Sequence, residues 1–391
     1  MDFLHRAWAE INLDNLIHNF SLIKAAASGS KIMSVVKADA YGHGAVEVAK
    51  ALSKAGTDWF AVSNIEEALQ LRESGISEPV LILGTTPPEY AKVLAQNNIS
   101  QTVFCADYAR ELSKYATVSG VSVNIHIKLD TGMRRLGFNA ADDDEISAAA
   151  DACKMRSLNP EGIFTHFASA DFYGDADGSF TTAQFELYKN AVAAIESSGV
   201  AFKLHHCSNS AATLTRPEMH LDIVRAGIIL YGLAPSGEVK IEGFKPVMSL
   251  RAAVSMVKKI KAGDQVSYGR TFTAPCDMTV ATVPIGYADG YMRAFSGANV
   301  IVGGKIATGV GRICMDQMML DVTGLDVNVG DTVTLFGVDG ECAVSADELA
   351  KKAGTINYEI VCLLSKRITR VYIEGGDEIG FKNLLNRKEL F

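Results

Sequence analysis

The chain has 391 residues, 48% of them hydrophobic, which suits two or three domains with ample core. Its net charge of −8 would repel phosphates and argues against a nucleic-acid partner. No stretch approaches the roughly 20 apolar residues that cross a bilayer. The seven cysteines include no Cys-x-x-Cys pair, which is typical of a reducing compartment and argues against a metal site such as zinc. The N-terminal residues lack the features of a signal peptide, so we expect a cytoplasmic protein.

Short apolar runs alternate with amphipathic segments as far as about residue 232. Eight strands that alternate with helices predict a (β/α)8 TIM barrel rather than an open sheet. The predicted strands are 32–36, 59–63, 80–83, 102–105, 123–129, 162–165, 203–206 and 223–230. The predicted helices are 45–55, 65–73, 90–96, 108–115, 145–154, 183–197 and 210–214.

Beyond residue 235 strand-like runs follow one another through turns instead of long helices. This change predicts a separate, mainly β domain with one helix at 345–353. Its predicted strands are 252–260, 278–284, 298–302, 306–310, 318–322, 332–336 and 370–373, and a further strand at 7–13 precedes the barrel.

Lys37 directly follows the predicted buried strand 32–36 and precedes a glycine-containing turn. A lysine at a strand end points into the region where α/β barrels build active sites. Desolvation there lowers the pKa of the amine and makes it a nucleophile fit for a Schiff base. The alternative is a lysine that snorkels out of the strand, and Lys37 taken alone favours that alternative.

Segment 35–44, VVKADAYGHG, resembles the cofactor-lysine motif of the pyridoxal-phosphate-dependent alanine racemases, enzymes of fold type III. Seven further motifs match the family in order along nearly the whole chain: DTGM at 130–133, HFA at 166–168, NSAA at 209–212, SYG at 267–269, GYADGY at 286–291, GRICMDQ at 311–317 and NYE at 357–359. The resemblance implies a first strand, 1–13, that joins the β domain, a cofactor-binding barrel at 14–236 and a C-terminal β domain at 237–391.

The resemblance also implies which residues hold pyridoxal 5'-phosphate. Lys37 carries it, Arg225 hydrogen-bonds the pyridine nitrogen and His166 packs near the ring. The remaining cofactor residues are Tyr41, Asn209, Ser210, Tyr358 and the backbone of Gly227 and Ile228. Taken singly, Asn209 and Ser210 would be a plain helix cap. Arg225 would form a salt bridge across the barrel, and His166 would be a core histidine.

Racemisation removes the α-proton on one face and returns a proton on the other, so one base on each face is the simplest design. By resemblance these bases are Lys37 and Tyr268, with Tyr268 reaching the site of the other subunit in a homodimer. An ordinary sheet tyrosine is the alternative for Tyr268.

The substrate carboxylate is matched to Arg135 and to the backbone of the partner subunit's Met315. Lys128 matches a lysine that many relatives carbamylate, which would orient Arg135. Arg134 departs from the small or polar residue that the family more often has at that position.

Together these features predict an alanine racemase that supplies D-alanine for peptidoglycan. A serine or broad-specificity amino-acid racemase is the nearest alternative, but such relatives tend to have a smaller residue in place of Tyr358. An amino-acid decarboxylase would place glutamate where Arg225 stands, and a non-catalytic pyridoxal-phosphate-binding barrel would not need the β domain.

Overall fold

The structure is a computed structural model that describes residues 4–172 and 179–385. The chain divides into two compact units. The barrel unit comprises Leu16–Ala40 and Ala45–Phe244. The β unit comprises the described parts of Met1–Asn15, Tyr41–Gly44 and Lys245–Phe391.

The barrel unit contains the predicted ring of eight parallel strands, so the predicted fold class is confirmed. Each of the first six strands pairs with the next, and the eighth pairs with the first. The seventh and eighth strands form no regular ladder, but two backbone hydrogen bonds link the segments that carry them. Asp222 N donates to His205 O at 3.2 Å, and Arg225 N donates to Ser208 O at 3.0 Å. The strands are Lys31–Val35, Trp59–Val62, Val80–Ile82, Ile99–Val103, Val123–Asp130, Leu158–Phe164, Leu204–His206 and Ile223–Ala226, with a short strand Phe138–Asn139 beside the fifth.

Helices follow the barrel strands, and the strands themselves are buried along most of their length, as expected when helices cover a parallel sheet. Polar side chains start several of these helices: Asn64 accepts a hydrogen bond from Glu67 N, and Asp142 accepts from Asp144 N and Glu145 N. The α-helices are Leu13–Ala26, Ala45–Lys54, Ile65–Glu73, Ala91–Gln96, Ala106–Val118, Asp143–Cys153, Ser179–Ser197 and Ser210–Thr215.

Three predicted barrel strands differ from the structure by several residues. The strand predicted at 162–165 spans Leu158–Phe164. The strand predicted at 102–105 lies at Ile99–Val103. The strand predicted at 223–230 ends at Ala226, because the chain turns at Gly227 and continues as a 3₁₀ helix over Ile228–Tyr231.

The β unit is built on one eleven-stranded sheet. Ala7–Asn12 lies inside it, antiparallel to Met248–Ala253 and parallel to Thr369–Glu374. The strand predicted at 252–260 is two strands. The other sheet strands are Met256–Ile260, Met278–Val283, Asn299–Val302, Lys305–Gly309, Met318–Asp321, Thr332–Asp339, Cys342–Val344 and Asp377–Lys382.

Three smaller features complete the β unit. Gln265–Val266 pairs with Phe272–Thr273 as a separate two-stranded ribbon. The two α-helices are Ala346–Ala353 and Asn357–Cys362. Across residues 4–172 and 179–385 of both units, no helix is long and apolar enough to span a membrane.

Candidate active site

Lys37 opens a backbone turn of unusual handedness. Ala38, Asp39 and Ala40 all have φ of 53–54°, the left-handed region that costs an L-residue roughly 1–2 kcal/mol. Two carboxylates fix the turn: Glu67 Oε1 accepts from Ala38 N at 2.7 Å, and Asp39 Oδ1 accepts from Ala45 N at 2.8 Å. The sequence predicted only a strand-to-helix turn here. Backbone strain of this kind concentrates at functional sites.

Arg225 is buried in the last barrel strand and is held by four hydrogen bonds. Nη1 lies 2.9 Å from His206 Nδ1. Nη2 donates to Thr165 O at 2.8 Å and to Cys207 O at 2.9 Å, and lies 3.1 Å from His166 Nδ1. None of these bonds uses Nε. Burial lowers the pKa of Arg225 to about 10, so the guanidinium remains a cation and a donor at neutral pH.

The two histidines beside Arg225 are neutral at physiological pH. Burial, and then the charge of Arg225, hold the pKa of His166 and of His206 well below the usual value. Arginine has only donors, so each histidine presents an unprotonated Nδ1 to it. In this structure His166 is therefore an acceptor for Arg225.

Lys128 is a second buried basic side chain, and it lies near Arg225 in the barrel. Its Nζ lies 4.9 Å from the centre of the Phe164 ring, and the Arg225 guanidinium lies 5.4 Å from that ring. Burial holds the pKa of Lys128 well below its usual value, and Arg225 and Arg135 lower it further. Burial therefore favours the neutral, nucleophilic form of this amine.

The loop that carries Arg135 is organised by Asp130. Its Oδ1 accepts from Gly132 N at 2.9 Å and from Arg134 N at 3.0 Å. Arg134 has a left-handed backbone, with φ of 53°, and its side chain bonds Asn139. Arg134 is thereby tied to its own loop, and the side chains of Arg134 and Arg135 are both exposed.

Asn209 and Ser210 lie where the sequence placed them, at the start of the helix Ser210–Thr215. Asn209 Oδ1 accepts from Ala212 N at 3.0 Å, so this side chain is the helix cap. Ser210 Oγ accepts from Gly227 N at 3.0 Å, which joins two of the predicted phosphate residues in a buried contact. Ile228 follows directly, at the start of its 3₁₀ helix.

The β unit holds the other predicted residues. Tyr268 and Met315 line one cavity of about 560 Å³, and their exposed fractions, 69% and 53%, are high for large apolar side chains. Met315 is fixed through its backbone, because its carbonyl accepts from Ala288 N at 3.0 Å.

Tyr41 and Tyr358 also belong to the β unit, where their ring centres lie 6.0 Å apart. Burial raises the pKa of Tyr41, with Cys362 adding to the effect. Its hydroxyl therefore stays protonated and can donate a hydrogen bond.

Sequence reasoning missed several residues that hold this site together. His206 and the carbonyl of Thr165 fix Arg225, and Asp289 accepts from Gly286 N at 3.0 Å in the loop that holds Met315. Two signals could have found them: His206 ends a predicted strand, and Asp289 lies inside the GYADGY motif.

Comparison with known proteins agrees over the whole chain. Residues 11–235 match the family model "Alanine racemase, N-terminal domain", and residues 247–372 match "Alanine racemase, C-terminal domain". An alanine racemase of Clostridium tetani is 43% identical over 386 residues, 97% of this chain and 98% of that protein.

Solved structures give the same result. An alanine racemase structure from Clostridium difficile 630 superimposes with a TM-score of 0.94 at 40% identity, covering 98% of this chain and 100% of that one. The alanine racemase of Bacillus anthracis with bound L-Ala-P has a TM-score of 0.92 at 37% identity, covering 98% and 99%.

Proposed function

This chain belongs to the alanine racemase family, and from that membership we propose that it interconverts L-alanine and D-alanine with Lys37 and Tyr268 as its two bases. The observation that carries the proposal is Arg225, a donor-only side chain buried between His166 and His206. The activity supplies D-alanine for peptidoglycan.

The residues present suit pyridoxal 5'-phosphate, the cofactor of this family. When bound, the cofactor supplies an electron sink that acidifies the α-proton of an amino acid. Arg225 would donate a hydrogen bond to the pyridine nitrogen, and its Nε takes part in none of its four hydrogen bonds to described residues. Since arginine does not give up its proton, that nitrogen stays unprotonated.

The remaining cofactor contacts are also proposed from membership of the family. Lys37 would carry the cofactor and His166 would pack near its ring. The phosphate would be held by Tyr41, Asn209, Ser210, Tyr358 and the backbone of Gly227 and Ile228. Protonated tyrosine hydroxyls and backbone amides suit a phosphate because both are hydrogen-bond donors.

Lys37 and Tyr268 would move protons on opposite faces of the substrate. The charge of Arg225 lowers the pKa of Lys128 and of His166 and so favours neutral, proton-accepting forms of basic groups near it. Tyrosine has an unperturbed pKa of about 10, so Tyr268 needs neighbouring positive charge to act as a base.

The substrate carboxylate would bind Arg135 and the backbone of Met315. Lys128 is proposed to be carbamylated, which would place an anion beside Arg135. The depressed pKa of Lys128 supports this modification because only the neutral amine reacts with carbon dioxide. A carbamate carbon signal after incubation with carbon-13 bicarbonate, absent from Lys128→Ala, tests it.

We propose a cytoplasmic homodimer in which each site uses residues of both chains. Lys37 belongs to the barrel unit, whereas Tyr268 and Met315 belong to the β unit and are more than half exposed. Such exposure suits side chains that a second subunit covers. Sedimentation of the holoenzyme would give the number of subunits.

The test of the reaction is a chiral product assay on L-alanine and L-serine. We expect D-alanine to form much faster than D-serine, because Tyr358 keeps the side-chain pocket narrow. Faster racemisation of serine would favour a broad-specificity racemase, and release of carbon dioxide would favour a decarboxylase.

A further inference from the structure

A chain of polar contacts runs from Arg225 through two buried histidines to a carboxylate on a neighbouring strand. Arg225 Nη1 lies 2.9 Å from His206 Nδ1, and His206 Nε2 lies 2.9 Å from His126 Nδ1. His126 Nε2 faces Glu161 Oε2 at 3.6 Å. Both histidine side chains are fully buried, so each ring nitrogen needs a partner inside the protein.

With Arg225 donating at one end and a carboxylate accepting at the other, only one arrangement of the hydrogens gives every donor in this chain an acceptor. Arg225 has only donors, so His206 Nδ1 accepts and its proton sits on Nε2. His206 then donates to Nδ1 of His126, whose proton also sits on Nε2. Burial lowers the pKa of both histidines, which keeps each ring neutral with a single ring proton.

Glu161 supplies the acceptor at the far end. The contact of 3.6 Å is longer than a standard hydrogen bond, yet among the described residues His126 Nε2 has no hydrogen-bond acceptor within range. Burial raises the pKa of Glu161, but contacts with His126 and Ser100 outweigh it and leave the carboxyl ionised at neutral pH. Ser100 Oγ donates to the same oxygen at 2.7 Å, which holds the carboxylate in place.

Two backbone features place Glu161 beside His126. Ile125 pairs with Pro160 and His126 pairs with Gly162, so Glu161 is an extra residue, a β-bulge in its strand. Bulges are rare between parallel strands and redirect a side chain. The next residue is glycine, and a Cβ there would lie 2.4 Å from His126 Nδ1. The His126 ring therefore occupies the space that a side chain at position 162 would fill.

We infer that Glu161 is a positioning residue for Arg225, acting through His126 and His206 by holding each histidine as its Nε2–H tautomer. Removing the acceptor leaves a buried N–H without a partner, and the strain passes along the chain to the guanidinium. The effect on the reaction rests on the role proposed above for Arg225, whereas the tautomers do not.

The tautomers can be read directly in the full-length holoenzyme. Nitrogen-15 labelling of histidine and two-bond proton–nitrogen correlation separate the two tautomers, and the eight histidines are assigned by substituting each in turn. We expect His126 and His206 to be neutral and protonated at Nε2 only. An Nδ1–H tautomer at either histidine would overturn the inference, whatever reaction the enzyme catalyses.

Variants then test the function of Glu161. Glu161→Ala should give His126 a mixture of tautomers and lower the ratio of racemisation to transamination about tenfold. Glu161→Gln keeps an acceptor oxygen, so the His126 tautomer and the ratio of racemisation to transamination should both stay within about twofold of the wild-type values. Glu196→Ala is the matched control, because Glu196 contacts His205 at 3.1 Å in the same unit, and it should change neither.

Other results with these variants would contradict the role of Glu161 or that of Arg225. Unchanged tautomers and ratio in Glu161→Ala would overturn the inference, as would equal losses in Glu161→Ala and Glu161→Gln. The predicted tautomer changes with an unchanged ratio would leave Glu161 as a partner of His126 but remove its link to the reaction. In that case the proposed role of Arg225 in the reaction would be wrong.

Discussion

Gly162→Ala adds one methyl group and tests whether the His126 ring fills the space beside Gly162. The added Cβ would lie 2.4 Å from Nδ1 and 2.5 Å from Cε1 of a side chain with no exposed surface. The atoms must separate by about 1 Å to reach an ordinary van der Waals distance. The Trp59 ring, centred 5.4 Å from that of His126, limits where the ring can go.

The size of the effect follows from overpacking alone, because the backbone of Gly162 does not have a positive φ. Overpacking a well-filled core costs about 1–3 kcal/mol. For a unit of this length that lowers the melting temperature by about 2–12 °C. A ring shift of about 1 Å also takes the His126–His206 contact out of hydrogen-bond range, so the His126 tautomer signal should change.

Differential scanning calorimetry of the holoenzyme and the histidine correlation spectrum measure the two effects. Gly237→Ala is the matched control, because nothing lies within 4 Å of a Cβ at that exposed glycine. Its melting temperature should stay level or rise slightly. If Gly162→Ala behaved like Gly237→Ala, the reasoning about the His126 ring would be wrong.

Three further variants test the site. Lys37→Ala should lose the visible absorbance band and the borohydride-fixed cofactor of the wild type, and a fixed cofactor in the variant would contradict the assignment of Lys37. Arg225→Glu should lower racemisation and raise transamination, because a carboxylate can share a proton with the pyridine nitrogen, and an unchanged ratio would refute that role. Lys37→Ala mixed with Tyr268→Phe should regain activity as subunits exchange, because one site of a mixed dimer keeps both bases. No recovery in proven heterodimers would place both bases on one chain.

The barrel could be predicted from the sequence because its strands are apolar and its helices amphipathic. The strand at Ile99–Val103, which was predicted at 102–105, shows where hydrophobic patterning fails. Ser100, Gln101 and Thr102 are polar yet buried, since each side chain has a hydrogen-bond partner inside the barrel. Local composition does not reveal a partner contributed by another strand.

The helix Leu13–Ala26 was also not predicted, although it carries a readable start signal. Asn12 Oδ1 accepts from Asn15 N at 2.8 Å, the geometry of a helix cap.

The candidate site could be predicted in part. The family resemblance gave Lys37 and Arg225, but not the left-handed turn after Lys37, which depends on Glu67 from the helix Ile65–Glu73. The contacts of Arg225 with His206 and Thr165 depend on strand register, which one sequence does not specify.

The central claim is that two bases exchange protons on opposite faces of alanine. The most direct measurement starts the reaction with L-alanine in deuterium oxide and follows the first product by mass spectrometry and chiral separation. We expect D-alanine that carries deuterium at Cα from the first turnovers, because the proton removed by one base is not the proton returned by the other. D-alanine that retains the α-hydrogen of its substrate would show that a single base serves both faces and would contradict the account.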